Sequence, residues 1–446
     1  MKALILSCGG SPEPLKYCIN RFQPDFIYFL CSENSIDVAL DITEELEIKQ
    51  DQFAIKNVLN YESLDESFAK SREIIKELQK NYDDIQIDFT GGTKPMVSGL
   101  VLAAVGEECS YTYVGSINEE SRDKNGMGIV KNGFEKIKSQ KDPYDVYAVM
   151  EFEKGMDFFD KYQFSASKTN FALASEKLES PDLRELAAFY VSIVEIYSKW
   201  DKFENLLYKS KPLNSALRDI IYKINSSTNI KKYLTENFPN FILQIENNLE
   251  FLNLKIYRKG TMKIDKVKYY LPDLLNNASR RIEEGKYDDA VARLYRAIEL
   301  IAQIKLAEEK LIDKNSLDNK KFKINMLQLN ERFDFDIDEK ICQMPEYREA
   351  ADNNKKNFGI PLKKSYEILE CLNSDFASKY LNDKDIKNNL NSRNGSILAH
   401  GLNAIDKTTA LNLYNQVFSY AKQAFGDIEK YMEMSKFPKF SDKNEI

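Results

Sequence analysis

Four short apolar runs lie in the first quarter of the chain, and a polar turn closes each of them. They are residues 3–7 (Ala-Leu-Ile-Leu-Ser), 25–32 (Asp-Phe-Ile-Tyr-Phe-Leu-Cys-Ser), 85–90 (Ile-Gln-Ile-Asp-Phe-Thr) and 110–115 (Ser-Tyr-Thr-Tyr-Val-Gly). Helical patterns separate them, most clearly over 64–80, where Phe68, Ile74, Ile75 and Leu78 make one apolar stripe among charges. Strands that alternate with helices imply parallel strands joined by right-handed crossovers. The expected fold is therefore an open, Rossmann-like α/β sheet, on which ligands bind at the carboxyl ends of the strands.

The polar clusters fall at those ends. They are Cys8-Gly9-Gly10-Ser11, Ser32-Glu33-Asn34, Thr90-Gly91-Gly92-Thr93-Lys94-Pro95 and Gly115-Ser116. In the third, Gly91 and Gly92 permit a tight turn and close backbone approach to a ligand. Thr93 is placed to cap the next helix, and Pro95 suits its first turn. Backbone N–H groups there can hold an anion, and Lys94 adds a full charge. The spacing is not that of a Walker A loop, which also needs a Lys-Ser/Thr pair. An ordinary strand–helix turn is the plain alternative for one such loop. Several at successive strand ends favour a binding crevice.

Beyond the last clear run the chain changes character. Residues 118–126 are hydrophilic and read as a loop or hairpin, and Lys138–Tyr144, with Asp142-Pro143, reads as a linker. Residues 145–255 are helical in pattern and rich in aromatics, among them Phe152, Phe159, Phe171, Tyr190, Tyr197 and Trp200. Helix–helix packing explains these rings better than a base-stacking platform does. Over 271–304 a helical hairpin is expected. Ala290, Leu294, Ala297, Ile298 and Ile301 share one apolar stripe, and Gly285 breaks the pair. Arg293 and Arg296 lie on another face, where paired arginines are usually solvated or in weak ion pairs. These boundaries give an α/β domain over 1–140, a helical linker region over 141–265 and an all-α domain over 266–446.

The 446 residues carry a net charge of −7, which argues against broad binding to duplex nucleic acid. A narrow basic groove for a single strand is still compatible with it. Lys320-Lys321-Phe322-Lys323 could line one, although a solvated helix end is the plainer reading. The six cysteines show no Cys-x-x-Cys spacing and read as reduced thiols of a cytoplasmic protein. With one histidine in the chain a zinc site is not expected. Neither a signal peptide nor a stretch long enough to span a membrane is evident.

That single histidine bounds the chemistry. It sits in Arg393-Asn394-Gly395-Ser396-Ile397-Leu398-Ala399-His400. On a helix the seven steps from Arg393 to His400 make roughly two turns, so both side chains project from one face. A guanidinium that neutralises phosphoryl oxygens and an imidazole that moves a proton suit a phosphodiester. The plain alternative is a histidine favoured by the dipole at a helix C-terminus, with Gly401 ending the helix.

Together the two ends resemble the CARF–HEPN proteins of type III CRISPR systems. Cys8 to Pro14, Phe29 to Ser32 and Asp88 to Met96 are similar to a CARF domain, a Rossmann-like sensor of cyclic oligoadenylates. Glu284 to Ala297 and Arg393 to Gly401 are similar to a HEPN helical domain. Its motif is an arginine, then a polar residue, then a histidine, with four to six residues between the arginine and the histidine. Here Arg393, Asn394 and His400 match it, with six residues between. The resemblance implies a ligand-activated endoribonuclease that cleaves single-stranded RNA without a metal or other cofactor. It implies a homodimer in which two Arg–His faces form one composite site. Cyclic oligoadenylate would meet Gly9, Gly10, Ser11, Ser32, Thr90, Gly91, Gly92, Thr93 and Lys94. Some such sensors also cleave their activator, and Ser11 or Thr93 would position that reaction. A non-catalytic sensor or adaptor is the other alternative. A DNA-binding regulator is disfavoured by the acidic balance and the lack of a helix-turn-helix signature.

Overall fold

The computed structural model describes residues 1–122, 130–205, 211–256, 264–313, 322–394 and 401–441. They form two compact units. The first is Met1–Met150 with Glu176–Leu183, and the second is Glu151–Ser175 with Arg184–Ile446.

In the first unit, β1 (Lys2–Ser7), β2 (Phe26–Ser32), β3 (Phe53–Val58), β4 (Asp84–Asp88), β5 (Cys109–Ser116) and β6 (Glu135–Gln140) make one sheet. The strand order is β3-β2-β1-β4-β5-β6. β1 to β5 pair in parallel and β6 runs antiparallel to β5. This is the doubly wound, dinucleotide-binding order. The crossover helices are α1 (Pro12–Phe22), α2 (Ile36–Glu45), α3 (Leu64–Leu78) and α4 (Lys94–Ala104). β1 is central, so both its faces are buried and its sequence is a continuous apolar run. Ala3 and Ile5 join Ile85, Ile87 and Leu100 on one side, while Leu4 and Leu6 join Leu15, Ile27 and Phe29 on the other.

β3 and β6 were not evident in the sequence, and both are edge strands. In β3 only Val58 is fully buried. β6 reads Glu-Lys-Ile-Lys-Ser-Gln, with one apolar residue. Charged edges of this kind guard against pairing with other chains and erase the alternation that marks a strand. The linker expected over Lys138–Tyr144 is therefore corrected. Its first residues finish β6, and α5 (Pro143–Val146) follows, capped by the Asp142 carboxylate on Tyr144 N at 2.8 Å. β5 and β6 form the hairpin alternative, and of its connection residues 123–129 lie outside the described residues.

The second unit is helical, as expected. Its middle part holds α6 (Val149–Asp160), which starts at the boundary, α7 (Phe164–Lys177), α8 (Pro181–Asp201), α9 (Leu213–Ser226), α10 (Thr228–Asn237) and α11 (Pro239–Lys255). The hairpin follows as α12 (Tyr270–Glu283) and α13 (Tyr287–Glu308), with Gly285 at φ 73° between them. Then come α14 (Met326–Arg332), α15 (Glu339–Cys342), α16 (Pro345–Asp352), α17 (Leu362–Cys371), α18 (Asp375–Asn382), α19 (Lys384–Asn394), α20 (Lys407–Ala424) and α21 (Ile428–Ser435). The predicted stripe of α13 is buried in a core shared with α17 and α20.

Most of the aromatic residues singled out in the middle helices are core. Phe159, Phe171, Tyr190, Tyr197, Trp200 and Phe241 are at most 1% exposed. Two rings from the end of the described chain complete the cluster. Phe440 lies 4.4 Å from Phe241 and 5.1 Å from Tyr190, and Phe437 lies 4.8 Å from Tyr197, centroid to centroid. The N–H groups of Phe440 and Ser441 both donate to the Asp160 carboxylate at 2.8 Å.

Two consecutive residues at the end of α8 tie this cluster to the hairpin. Trp200 Nε1 donates to both oxygens of Asp273 at 3.0 Å, and Lys255 pairs with the same carboxylate in a site with almost no exposure. Asp201 accepts from Arg280 Nε at 2.9 Å and from Asn277 Nδ2 at 2.8 Å, and pairs with Arg281. Removing one partner of a buried pair strands the other charge. Lys255→Met should therefore destabilise the unit by about 3–5 kcal/mol. Urea unfolding followed by the fluorescence of Trp200, the one tryptophan, measures this, and an unchanged midpoint would refute it.

Candidate functional site

The order of strands reverses between β1 and β4, so the loops that follow these two strands flank a crevice. The loops touch through their backbones. A Cβ on Gly91 would stand 2.6 Å from the Ser7 carbonyl oxygen, and one on Gly9 would stand 2.7 Å from Gly92 N. Gly92 adopts φ 92°. The Ser7 hydroxyl donates to the Gly91 carbonyl and locks the approach. Only glycine fits at Gly9, Gly91 and Gly92, which accounts for three of the four glycines in the two loops.

Asp88, at the end of β4, shapes the second loop from below. It has no exposure. Its oxygens accept from Thr90 N at 3.0 Å and from Thr112 Oγ1 at 3.2 Å. Burial pushes this carboxyl above its ordinary range, and the hydrogen bonds from Thr90 and Thr112 oppose that rise. The Thr90 hydroxyl accepts from Val114 N at 2.7 Å. Thr93 caps α4 as expected, accepting from Met96 N at 3.4 Å, and donates to the Tyr61 carbonyl at 2.6 Å. Ser32 is buried, and its hydroxyl lies 3.1 Å from that of Ser35. Thr90, Thr93 and Ser32 thus use their hydroxyls to hold loops.

What remains for a ligand is mainly backbone. Among the described residues, no acceptor meets the N–H groups of Gly9, Gly10, Ser11, Gly91, Gly92, Thr93 or Lys94. Ser11 occupies the N-cap position of α1 yet makes no capping bond, so its hydroxyl is uncommitted. Pro12 and Pro14 supply no N–H, so of the first three positions of α1 only Glu13 adds a backbone donor. Lys94 is exposed and pairs with no carboxylate among the described residues. Two rows of N–H donors, one ammonium and one hydroxyl along a strand-end crevice suit a ligand with several phosphates. Asp88 and Ser7 are the residues that sequence reasoning passed over. An acidic residue ending a buried strand just before Thr-Gly-Gly was the available signal for the first.

In the second unit, Arg393 and Asn394 stand in the last turn of α19. Their side chains, and all of residues 395–400 including His400, lie outside the described residues. The frame around them is described. Asp383 accepts from the N–H groups of Asp385 and Ile386 at 3.0 Å and so caps α19, whose Ile386 and Leu390 are buried. After the gap, Ile405 N donates to Asp288 Oδ2 at 3.3 Å, at the start of α13. Arg293 and Arg296 are committed elsewhere. The first donates to Asp289 at 2.9 Å and to Asn277, and the second to Glu299 and Gln303 at 2.9 Å. Lys320 and Lys321 lie outside the described residues. The described residues contain no group of side chains arranged to hold a metal, and no helix long and apolar enough to cross a membrane.

Residues 259–424 match the model of the Csm6 HEPN domain. The structure of Enterococcus italicus Csm6 bound to cyclic hexa-2'-fluoro-hexa-dAMP aligns with 98% of this chain and 98% of its own, at 13% identity and a TM-score of 0.50. This chain shares the fold of Csm6. The residues that match the HEPN model lie in the helical unit. Can2 from Sulfobacillus thermosulfidooxidans, in complex with cyclic tetra-adenylate, aligns over 45% of this chain and 66% of its own at 13% identity, but its TM-score of 0.21 supports no argument. No curated protein matches the chain in sequence.

Two outcomes test the crevice. Gly91→Ala should destabilise the first unit by about 1–3 kcal/mol, because backbone blocks the new methyl group. Gly10→Ala, with nothing within 4 Å of its Cβ, should change stability by less than about 0.5 kcal/mol. Calorimetry distinguishes them, and equal effects would refute the interlocked loops. The second concerns Asp88, whose folded pKa lies above the ordinary 3.8. The native state then holds its proton longer than the unfolded chain does, so this group's contribution to stability falls as pH rises from 3.8 through the raised value. Asp88→Asn should flatten that part of the melting-temperature profile between acid and neutral pH.

Proposed function

We propose that this protein is a cyclic oligoadenylate-activated endoribonuclease of type III CRISPR antiviral defence, cutting single-stranded RNA without a metal. The observation that carries the reading is the joint occurrence of a strand-end crevice rich in uncommitted N–H donors and a Csm6-type HEPN domain that ends α19 with Arg393-Asn394. Ring phosphates of the activator accept from the two glycine loops and from Lys94, and Ser11 reaches a ribose or phosphate oxygen. A symmetric ligand fits two such crevices facing each other across the twofold axis of a homodimer. Binding favours the dimer arrangement in which the distant Arg–His pairs are competent.

RNA brings its own nucleophile. The 2′-oxygen forms a bond to the adjacent phosphorus while the bond to the 5′-oxygen breaks. The 2′-hydroxyl gives up its proton and the leaving 5′-oxygen receives one. The products are a 2′,3′-cyclic phosphate and a 5′-hydroxyl. His400 exchanges protons with the attacking or leaving oxygen. Arg393 neutralises the phosphoryl oxygens in a bidentate fork, and Asn394 orients the substrate. With one histidine per chain, a second imidazole in the site comes only from a second copy.

Cleavage of a fluorescent single-stranded RNA across a panel of cyclic oligoadenylates tests this. Activity should depend on one ring size, persist in a chelator, and fall about 10²–10⁴-fold in His400→Ala. Cleavage that survives the substitution would exclude the chemistry. A second reading, that the crevice also opens its cyclic ligand, draws on the uncommitted Ser11 hydroxyl, since that of Thr93 is engaged. Chromatography that shows the ring intact after prolonged incubation would set it aside.

A further inference from the structure

A second cationic site lies in the helical unit. A pocket of about 270 Å³ is lined by Tyr162, Ser279, Arg280, Glu283, Lys436 and Lys439, with Phe437 at its wall. Three cations line it, and each has a carboxylate partner, Arg280 in Asp201, Lys436 in Glu433 and Lys439 in Glu283. Glu283 is already neutralised, accepting from Tyr162 Oη and from Lys439 Nζ, each at 3.1 Å.

Arg280 is the residue that points to a ligand. It is 3% exposed, and its Nε donates to Asp201 Oδ1 at 2.9 Å. Its guanidinium carbon stands 3.8 Å from the centre of the Phe437 ring. Its buried Nη2 meets no acceptor. A buried guanidinium hydrogen without a partner is costly, and native structures rarely leave one. A guanidinium held flat on an aromatic ring, with a hydrogen to spare, is suited to an oxygen of a phosphate. The Ser279 hydroxyl beside it makes no hydrogen bond among the described residues. Ser279, Arg280 and Glu283 occupy the last turns of α12, just before the Gly285 turn, and Asp288 beyond that turn receives Ile405 N from the segment after His400.

We propose that this pocket seats a backbone phosphate of the single-stranded RNA, outside the linkage that is cut. The proposal rests on the ribonuclease reading above. It makes the pocket a substrate-guiding site, separate from the reacting atoms and from the cyclic activator.

The test uses the full chain and a single-stranded RNA with 2′-O-methyl groups, which binds but offers no nucleophile. Anisotropy titrations at several salt concentrations compare wild type with the double variant Lys436→Gln/Lys439→Gln and with Ser279→Glu, which sets a carboxylate at the pocket without cutting into the core. Both should bind several-fold more weakly, and the double variant should lower the salt slope by about one. With cleavable RNA and activator, KM should rise while kcat is kept. A matched change of charge elsewhere, Lys168→Gln/Lys199→Gln, should leave the affinity as it was. Wild-type binding that neither pocket variant weakens overturns this proposal alone, as does an equal loss in the matched control. A wild-type chain that neither binds nor cuts RNA overturns the ribonuclease reading with it.

Discussion

Two carboxylates that cannot reach water organise the helical unit. Asp273 and Asp201 are buried, and a buried charge is tolerable only when its partners are held at fixed positions. Those partners come from α8, α11 and α12, since Trp200 and Lys255 hold Asp273 while Asn277, Arg280 and Arg281 hold Asp201. Arg293 extends the chain of bonds from Asn277 into α13. Apolar packing alone lets helices slide by small amounts, whereas a shared carboxylate sets one register. The hairpin that frames the proposed catalytic segment inherits its position from this network.

The sheet unit uses the opposite device. Its crevice is built from groups left without partners. Ser7, Asp88, Thr90 and Thr93 use their side chains to fix two loops, and the backbone N–H groups above them are spared. Donors that are rigid and already unpaired bind an anion without first breaking an internal bond, and little ordering cost remains at binding. The glycines belong to the same design, because a side chain at Gly9 or Gly91 would push the loops apart.

Much of this was legible in the sequence where a physical requirement leaves a local trace. A doubly buried strand tends to be continuously apolar, so β1 and β2 stood out, while alternating isoleucines marked β4 and aromatic and β-branched residues marked β5. A strand-to-helix turn with close backbone contact needs glycine, so both loops stood out as well. The helical hairpin around Gly285 and the aromatic core of the middle helices were readable for like reasons. Edge strands β3 and β6 were not, since half their surface faces water and their residues are chosen for charge. Nor could local pattern reveal that Asp88 is buried, or that Arg280 stacks on Phe437, because those facts depend on partners far along the chain. Arg293 and Arg296, conspicuous in the sequence, turned out to bond within their own hairpin.

The rings of Phe437 and Phe440 carry a consequence for biogenesis. A nascent chain emerges N-terminus first, and Phe159, Tyr190, Trp200 and Phe241 are all synthesised long before these two arrive. Asp160 waits for a donor 280 residues downstream in Phe440. Closing so long a loop carries an entropic cost that the early segments cannot recover alone. The aromatic cluster is thus sealed only after the segment bearing Arg393 and His400 has been translated, and maturation of the helical unit waits for synthesis to pass Phe440.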